Sequence, residues 1–141
     1  MYRGVSALMV PTTWTAYGLT FNAPKGIGVE EDTEDTFLLN NARFYITLHS
    51  LESDDMTQDA MKELLKGLAD DDGIQEQSEI LELDLKQFHV VYLKGNAEEA
   101  PCYYACLMTK EAGSVFYVSI LYNEVDGKTV ERMLKSFHME E

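Results

Sequence analysis

Residues 102–122 read Cys-Tyr-Tyr-Ala-Cys-Leu-Met-Thr-Lys-Glu-Ala-Gly-Ser-Val-Phe-Tyr-Val-Ser-Ile-Leu-Tyr. Both ends of this stretch are apolar at nearly every position, and Ala112-Gly113-Ser114 between them is turn chemistry. Two strands on so short a link form an antiparallel hairpin. Strands that are apolar on both faces sit in the middle of a sheet, with cover above and below. The rest of the chain must therefore supply flanking strands and covering layers.

Flanking strands are legible on the N-terminal side. Phe88, Val90 and Tyr92 alternate with His89, Val91 and Leu93, and before them Leu81, Leu83 and Leu85 alternate with Glu82 and Asp84. Gly95 to Pro101 reads as a polar loop. Arg43 to Leu51 places Phe44, Ile46 and Leu48 on one face and Tyr45, Thr47 and His49 on the other. Ile27 and Val29 begin a short strand and Thr36 to Leu39 form another, with Glu30–Asp35 as the acidic hairpin tip between them. Tyr17, Leu19 and Phe21 mark a half-buried strand, and Asn22 to Gly26 a turn. Residues 1–15 read as an N-terminal extension in which Pro11-Thr12-Thr13-Trp14 is a loop with one anchoring aromatic.

The period changes from 2 to 3.6 in two places. Met56, Ala60, Met61, Leu64, Leu65 and Leu68 share one helical stripe, with Asp55 as N-cap, Gln58 as its capping-box partner and Gly73 as the stop. Val130, Met133, Leu134 and Phe137 define a closing helix capped by Asp126. The prediction is an α+β fold: a mostly antiparallel sheet of six to seven strands with two helices covering it, an α/β/α sandwich in one domain over residues 1–141.

Asp and Glu number 25 against 11 Lys and Arg, so the net charge is −14. Such a surface repels phosphate backbones and anionic bilayers. Nucleic acid and membrane are excluded as expected partners, and basic proteins, peptides and cations are favoured. No apolar run approaches a membrane span. The apolar stretch Val5 to Val10 is too short for a signal-peptide core. The expected location is cytoplasmic, or exported if an upstream signal has been trimmed. Cys102 and Cys106 share a strand face about 13 Å apart, and a disulfide needs Cα atoms within about 7 Å. Two unpaired thiols are expected.

Chemistry-bearing patterns are sparse. Asp70-Asp71-Asp72-Gly73 fits a calcium loop only if Leu68 stands where an oxygen ligand is required. His49, His89 and His138 are too dispersed for a local zinc site. Gly26-Ile27-Gly28 lacks the third glycine and the helix of a dinucleotide site. Gly-x-Ser-x-Gly and Ser-x-x-Lys are both absent. No cofactor, metal or catalytic residue is assigned, and an enzyme is not expected. The tyrosines carry the remaining signal: Tyr45, Tyr92, Tyr104 and Tyr117 are the candidate binding surface, either rimming a pocket or packing with their hydroxyls at its edge.

Four segments resemble the PsbP-like superfamily. They are Tyr17 to Pro24 with its Pro24-Lys25-Gly26 turn, Phe44 to Leu51 with the following helix, Gly113 to Ser119, and Thr129 to Phe137 ending in Ser-Phe. That superfamily contains an extrinsic photosystem II protein, a Ran-binding nuclear transport factor and many small bacterial proteins. One bacterial branch is similar to secretion chaperones that hold apolar helices of a client. The resemblance implies a packing scaffold that binds other proteins. The expected function is a non-enzymatic binding or adaptor protein. The alternatives are an acidic antagonist or chaperone of a basic or helical client, and a small-molecule or cation binder.

Overall fold

In the computed structural model, which describes residues 8–51, 56–98 and 100–140, the hairpin quoted above sits at the centre of the larger of two sheets. Its strands are β8 (Pro101–Thr109) and β9 (Val115–Tyr122). Around them lie β3 (Gly28–Asp32), β4 (Thr36–Asn40), β5 (Phe44–Leu51), β6 (Leu81–Asp84) and β7 (Phe88–Asn96). The order is β3-β4-β5-β9-β8-β7-β6, and every pairing is antiparallel. The expectation of a mostly antiparallel sheet of six to seven strands is met with seven.

Each face of that sheet has its own core. Phe44, Ile46 and Leu48 of β5 join Tyr103, Ala105 and Leu107 of β8 and Phe116, Val118 and Ile120 of β9 on one face. Helix α2 (Gly127–Lys135) covers this face with Val130, Met133 and Leu134, and Phe137 follows them in. On the other face α1 (Gln58–Asp71) sets Met61, Leu65 and Ala69 against Val91, Leu93, Cys102, Tyr104 and Cys106. Period-2 alternation in the strands thus feeds two helices with period-3.6 stripes.

The α2 face has a second cover that the sequence reading missed. β1 (Met9–Trp14), β2 (Leu19–Pro24) and β10 (His138–Met139) form a separate three-stranded sheet in the order β1-β2-β10. Pro11 to Trp14 is therefore strand and not loop, and Asn22 to Pro24, read as turn, lie inside β2. Pro11 masks β1 in the sequence. It is tolerated because β1 is an edge strand, where a missing N–H costs no ladder bond. The anchoring role of Trp14 holds: it is fully buried, stacks on Phe37 at 6.0 Å and donates its indole N–H to Thr33 O at 2.6 Å.

Two further expectations are corrected. Asp55 lies outside the described residues, and the cap of α1 is Thr57, whose hydroxyl accepts from Ala60 N. Gly95 and Asn96 belong to β7 and Pro101 to β8, so the loop between them is shorter than Gly95–Pro101. Gly95 permits this, because a Cβ there would meet Ile74 Cγ2 at 2.6 Å and Gln75 O at 2.9 Å. The exit of α1 matches its reading. Asp72 is the C-cap and Gly73 takes the left-handed φ of 72° that ends the helix. Among the described residues no helix is long and apolar enough to cross a membrane.

Candidate functional site

Helix α1 is one helix over a wide sheet. It lies across β7 and β8 and reaches Val115 and Tyr117 at the near side of β9, and among the described residues no helix covers the same face of β4 and β5. The side chains there are the alternates of the core positions. Register sets them in three rows: Thr36–His49–Tyr117, Leu38–Thr47–Ser119 and Asn40–Tyr45–Leu121. None carries a carboxylate, an ammonium or a guanidinium. Tyr45 is 44% exposed, a high value for an aromatic on a sheet face. Beside it a hollow of about 330 Å³ opens among Asn40, Arg43, Leu121 and Asn123.

The inner border of these rows is polar and rigid. Tyr117 stacks on His49 at 6.0 Å and meets Tyr104 edge-on at 5.7 Å. The Tyr104 hydroxyl donates to Asp72 Oδ2 at 2.5 Å, which fastens the C-cap of α1 to β8. Burial raises the Tyr117 phenol far above its ordinary value, and the negative charges that Tyr104 and Asp72 can carry add to this. Burial also raises Tyr104, with its bond to the Asp72 carboxylate as the second cause. Both phenols are neutral donors and not nucleophiles at ordinary pH. Cys102 and Cys106 are unpaired and buried on the same face, and burial pushes the Cys106 thiol up to about 12.

The four candidate tyrosines do not form one group. Tyr45, Tyr104 and Tyr117 share the α1 face, with only Tyr45 well exposed. Tyr92 belongs to the opposite face, 6.1 Å from Tyr103 in a ladder that continues to Tyr122 at 5.8 Å. That ladder is pinned under α2, where the Tyr103 hydroxyl donates to Glu131 Oε2 at 2.8 Å. Thr47, His49, Ser119 and Leu121 were not singled out as site residues, although the alternation already placed Thr47 and His49 beside Tyr45.

The acidic and histidine motifs resolve into local partnerships. Asp70 accepts from Lys66 and Gln77, and Asp72 from Tyr104. His49 faces Thr36, His89 lies 3.4 Å from Asp84, and His138 lies 3.1 Å from Glu140. Among the described residues no three His, Cys, Asp or Glu side chains cluster as metal ligands.

A family model described as "Dihydro-orotase-like" matches residues 25–126, well over half of the chain. The chain belongs to the dihydro-orotase-like family. In sequence, no curated protein matches it. The fold of this dihydro-orotase-like chain is similar to that of the Saccharomyces cerevisiae Ran-binding protein Mog1p, with a TM-score of 0.63 at 11% identity over 95% of this chain and 96% of that one. A point mutant of Mog1 gives 0.63 at 10% identity, over 94% and 96% of the two chains. A Bacteroides thetaiotaomicron protein gives 0.56 at 14% identity, over 97% of this chain and 50% of that one. At these identities the likeness is one of fold: a small α+β architecture, as the sequence implied.

Proposed function

We propose that this dihydro-orotase-like protein is a non-catalytic docking module that holds a second protein against the open rows of β4, β5 and β9. The observation that carries the reading is Tyr45, an aromatic 44% exposed among half-buried, uncharged side chains of a sheet face on a chain of net charge −14. An aromatic anchor in an uncharged patch within a charged surface is the usual anatomy of a protein interface. Likeness in fold to a protein described as Ran-binding, and the PsbP-like resemblance of the sequence, support the same class of function. The partner is cationic, because the acidic surface attracts positive charge and disfavours nucleic acid.

The test is site-specific photocrosslinking in the source cells, with the photoreactive residue at Tyr45 or, as control, at Lys128 on the α2 side. A discrete protein adduct from position 45 alone supports the reading. No adduct, or the same adduct from both positions, overturns it. The family's descriptor supplies a second measurement. The purified protein, with and without added zinc, is expected to leave dihydro-orotate unchanged, and turnover would refute the non-catalytic reading.

A further inference from the structure

A cleft of about 400 Å³ opens where the two sheets meet, on the side of β9 opposite the open rows. One wall is apolar. It consists of Tyr17 from the β1–β2 turn, Phe116 from β9 and Met139 from β10. Tyr17 is fixed edge-on to both Trp14 and Phe116, at 4.7 and 5.3 Å, and its hydroxyl donates to Glu34 O. This wall is therefore held in place by its own aromatic contacts.

The other wall carries hydrogen-bond donors. Gln87 Oε1 accepts from Met139 N at 3.0 Å, which fixes the carboxamide and leaves Nε2 without an acceptor among the described residues. Ser114 Oγ and Lys86 Nζ are likewise without partners among those residues, and both side chains line the cleft. Lys110 also lines it, but its ammonium is held 2.8 Å from Asp84. Glu111 is the carboxylate on the rim. The lining cation without a carboxylate partner among the described residues is thus Lys86, placed beside two neutral donors and an apolar wall.

We propose that this cleft binds a small amphipathic organic anion: one carboxylate on an aromatic or short alkyl body. The carboxylate takes a charge-assisted hydrogen bond from Lys86 and neutral ones from Gln87 and Ser114. The apolar body lies against Tyr17, Phe116 and Met139. The volume falls in the range of small-molecule sites, and apolar walls with a few placed polar groups are their usual lining. Charge points to the class: Lys86 is the lining cation held by no carboxylate among the described residues, and an anion is what it would attract.

The probe is 3-phenylpropanoate, titrated at millimolar concentration into isotope-labelled protein, with 3-phenylpropanamide as its neutral counterpart. The anion is expected to shift the amide signals of Tyr17, Gln87 and Ser114 saturably. The neutral amide should bind at least about tenfold more weakly, the effect of one lost charge-assisted bond. Lys86 is exposed, so K86Q keeps the fold and should weaken the anion to the same degree. Equal binding of acid and amide, equal binding by K86Q, shifts confined to other residues, or no shifts at all would each overturn the proposal. The Tyr45 surface lies on the other face of β9, so failure here is distinguishable from failure of the docking reading.

Discussion

The Tyr104 hydroxyl donates to the Asp72 carboxylate at 2.5 Å, joining the middle of β8 to the C-cap of α1. This bond fastens the end of the helix, which Gly73 terminates, to the sheet. Tyr104→Phe keeps the ring and removes the bond. A hydrogen bond to a charged partner contributes about 1.5–3 kcal/mol when buried, and the exposed Asp72 recovers part of that from water, leaving about 1–2 kcal/mol. Urea unfolding should show this loss with an unchanged m-value.

Phe137 follows α2 and stacks on Phe21 of β2 at 4.7 Å with 14° between the rings. It ties the closing helix to the small sheet. Phe137→Ala should cost about 3–5 kcal/mol, the range for a buried phenylalanine truncated in a close-packed core. A loss below 1 kcal/mol in chemical denaturation would mean that the helix and the small sheet do not share a core.

Stability should fall at both ends of the pH scale. Burial raises the Tyr103, Tyr104, Tyr117 and Cys106 groups, so the native chain keeps protons that the unfolded chain releases. Their contribution is complete below the ordinary thiol and phenol values of 9.0 and 10.0 and is lost as pH rises beyond them. On the acid side, bonds from Lys66, Lys110 and the Thr129 backbone lower Asp70, Asp84 and Asp126 respectively. That contribution is present above the usual value of 3.8 and disappears as pH falls through the lowered ones. Melting temperature against pH should trace a plateau with shoulders at both ends, the alkaline one coinciding with the ultraviolet signal of phenolate.

Both thiols should resist chemistry in the native state. Cys102 and Cys106 are buried and burial raises both, so almost no thiolate is present at neutral pH. Iodoacetamide should label neither until denaturant is added, and mass spectrometry should find no bond between them even after oxidant treatment. A 102–106 disulfide would contradict the strand.

Association with a cationic partner should be fast at low salt. From about 50 to 500 mM the screening length drops from about 14 to 4 Å, and the on-rate should drop with it. The off-rate should depend instead on Tyr45, rising in Tyr45→Ala at every salt concentration. Surface plasmon resonance separates the two. A flat on-rate would restrict the role of the acidity to solubility.

The large sheet was legible because its strands obey a strict period of two and its two-faced apolar pair, 102–108 and 115–122, admits only a central place. The small sheet was not. Its β1 contains Pro11 and two threonines, its β10 is two residues long, and its buried Thr20 shares a hydrogen bond with Thr13 at 2.7 Å. Nothing in local composition announces such pairings, since their partners lie far along the chain. The site was half legible for a related reason. Alternation placed Tyr45 with Thr47 and His49, but which face a single helix leaves bare depends on where α1 lands. That in turn rests on Tyr104 meeting Asp72, a contact 32 residues apart.

The small sheet has a temporal consequence. Its middle strand β2 is flanked by β1, made just before it, and by β10, made after every strand of the large sheet, with His138 opposite Thr20 and Met139 opposite Leu19. All seven strands of the large sheet follow one another as hairpin neighbours or close on one already made, so they can assemble while the chain is still being synthesised. The β1–β2 pair must wait with one edge unsatisfied until β10, which follows every strand of the large sheet, has been made. The last strand therefore works as a latch. A nascent chain lacking it should display β2 to chaperones and proteases, and the finished chain should shed both within the time that two residues take to pair.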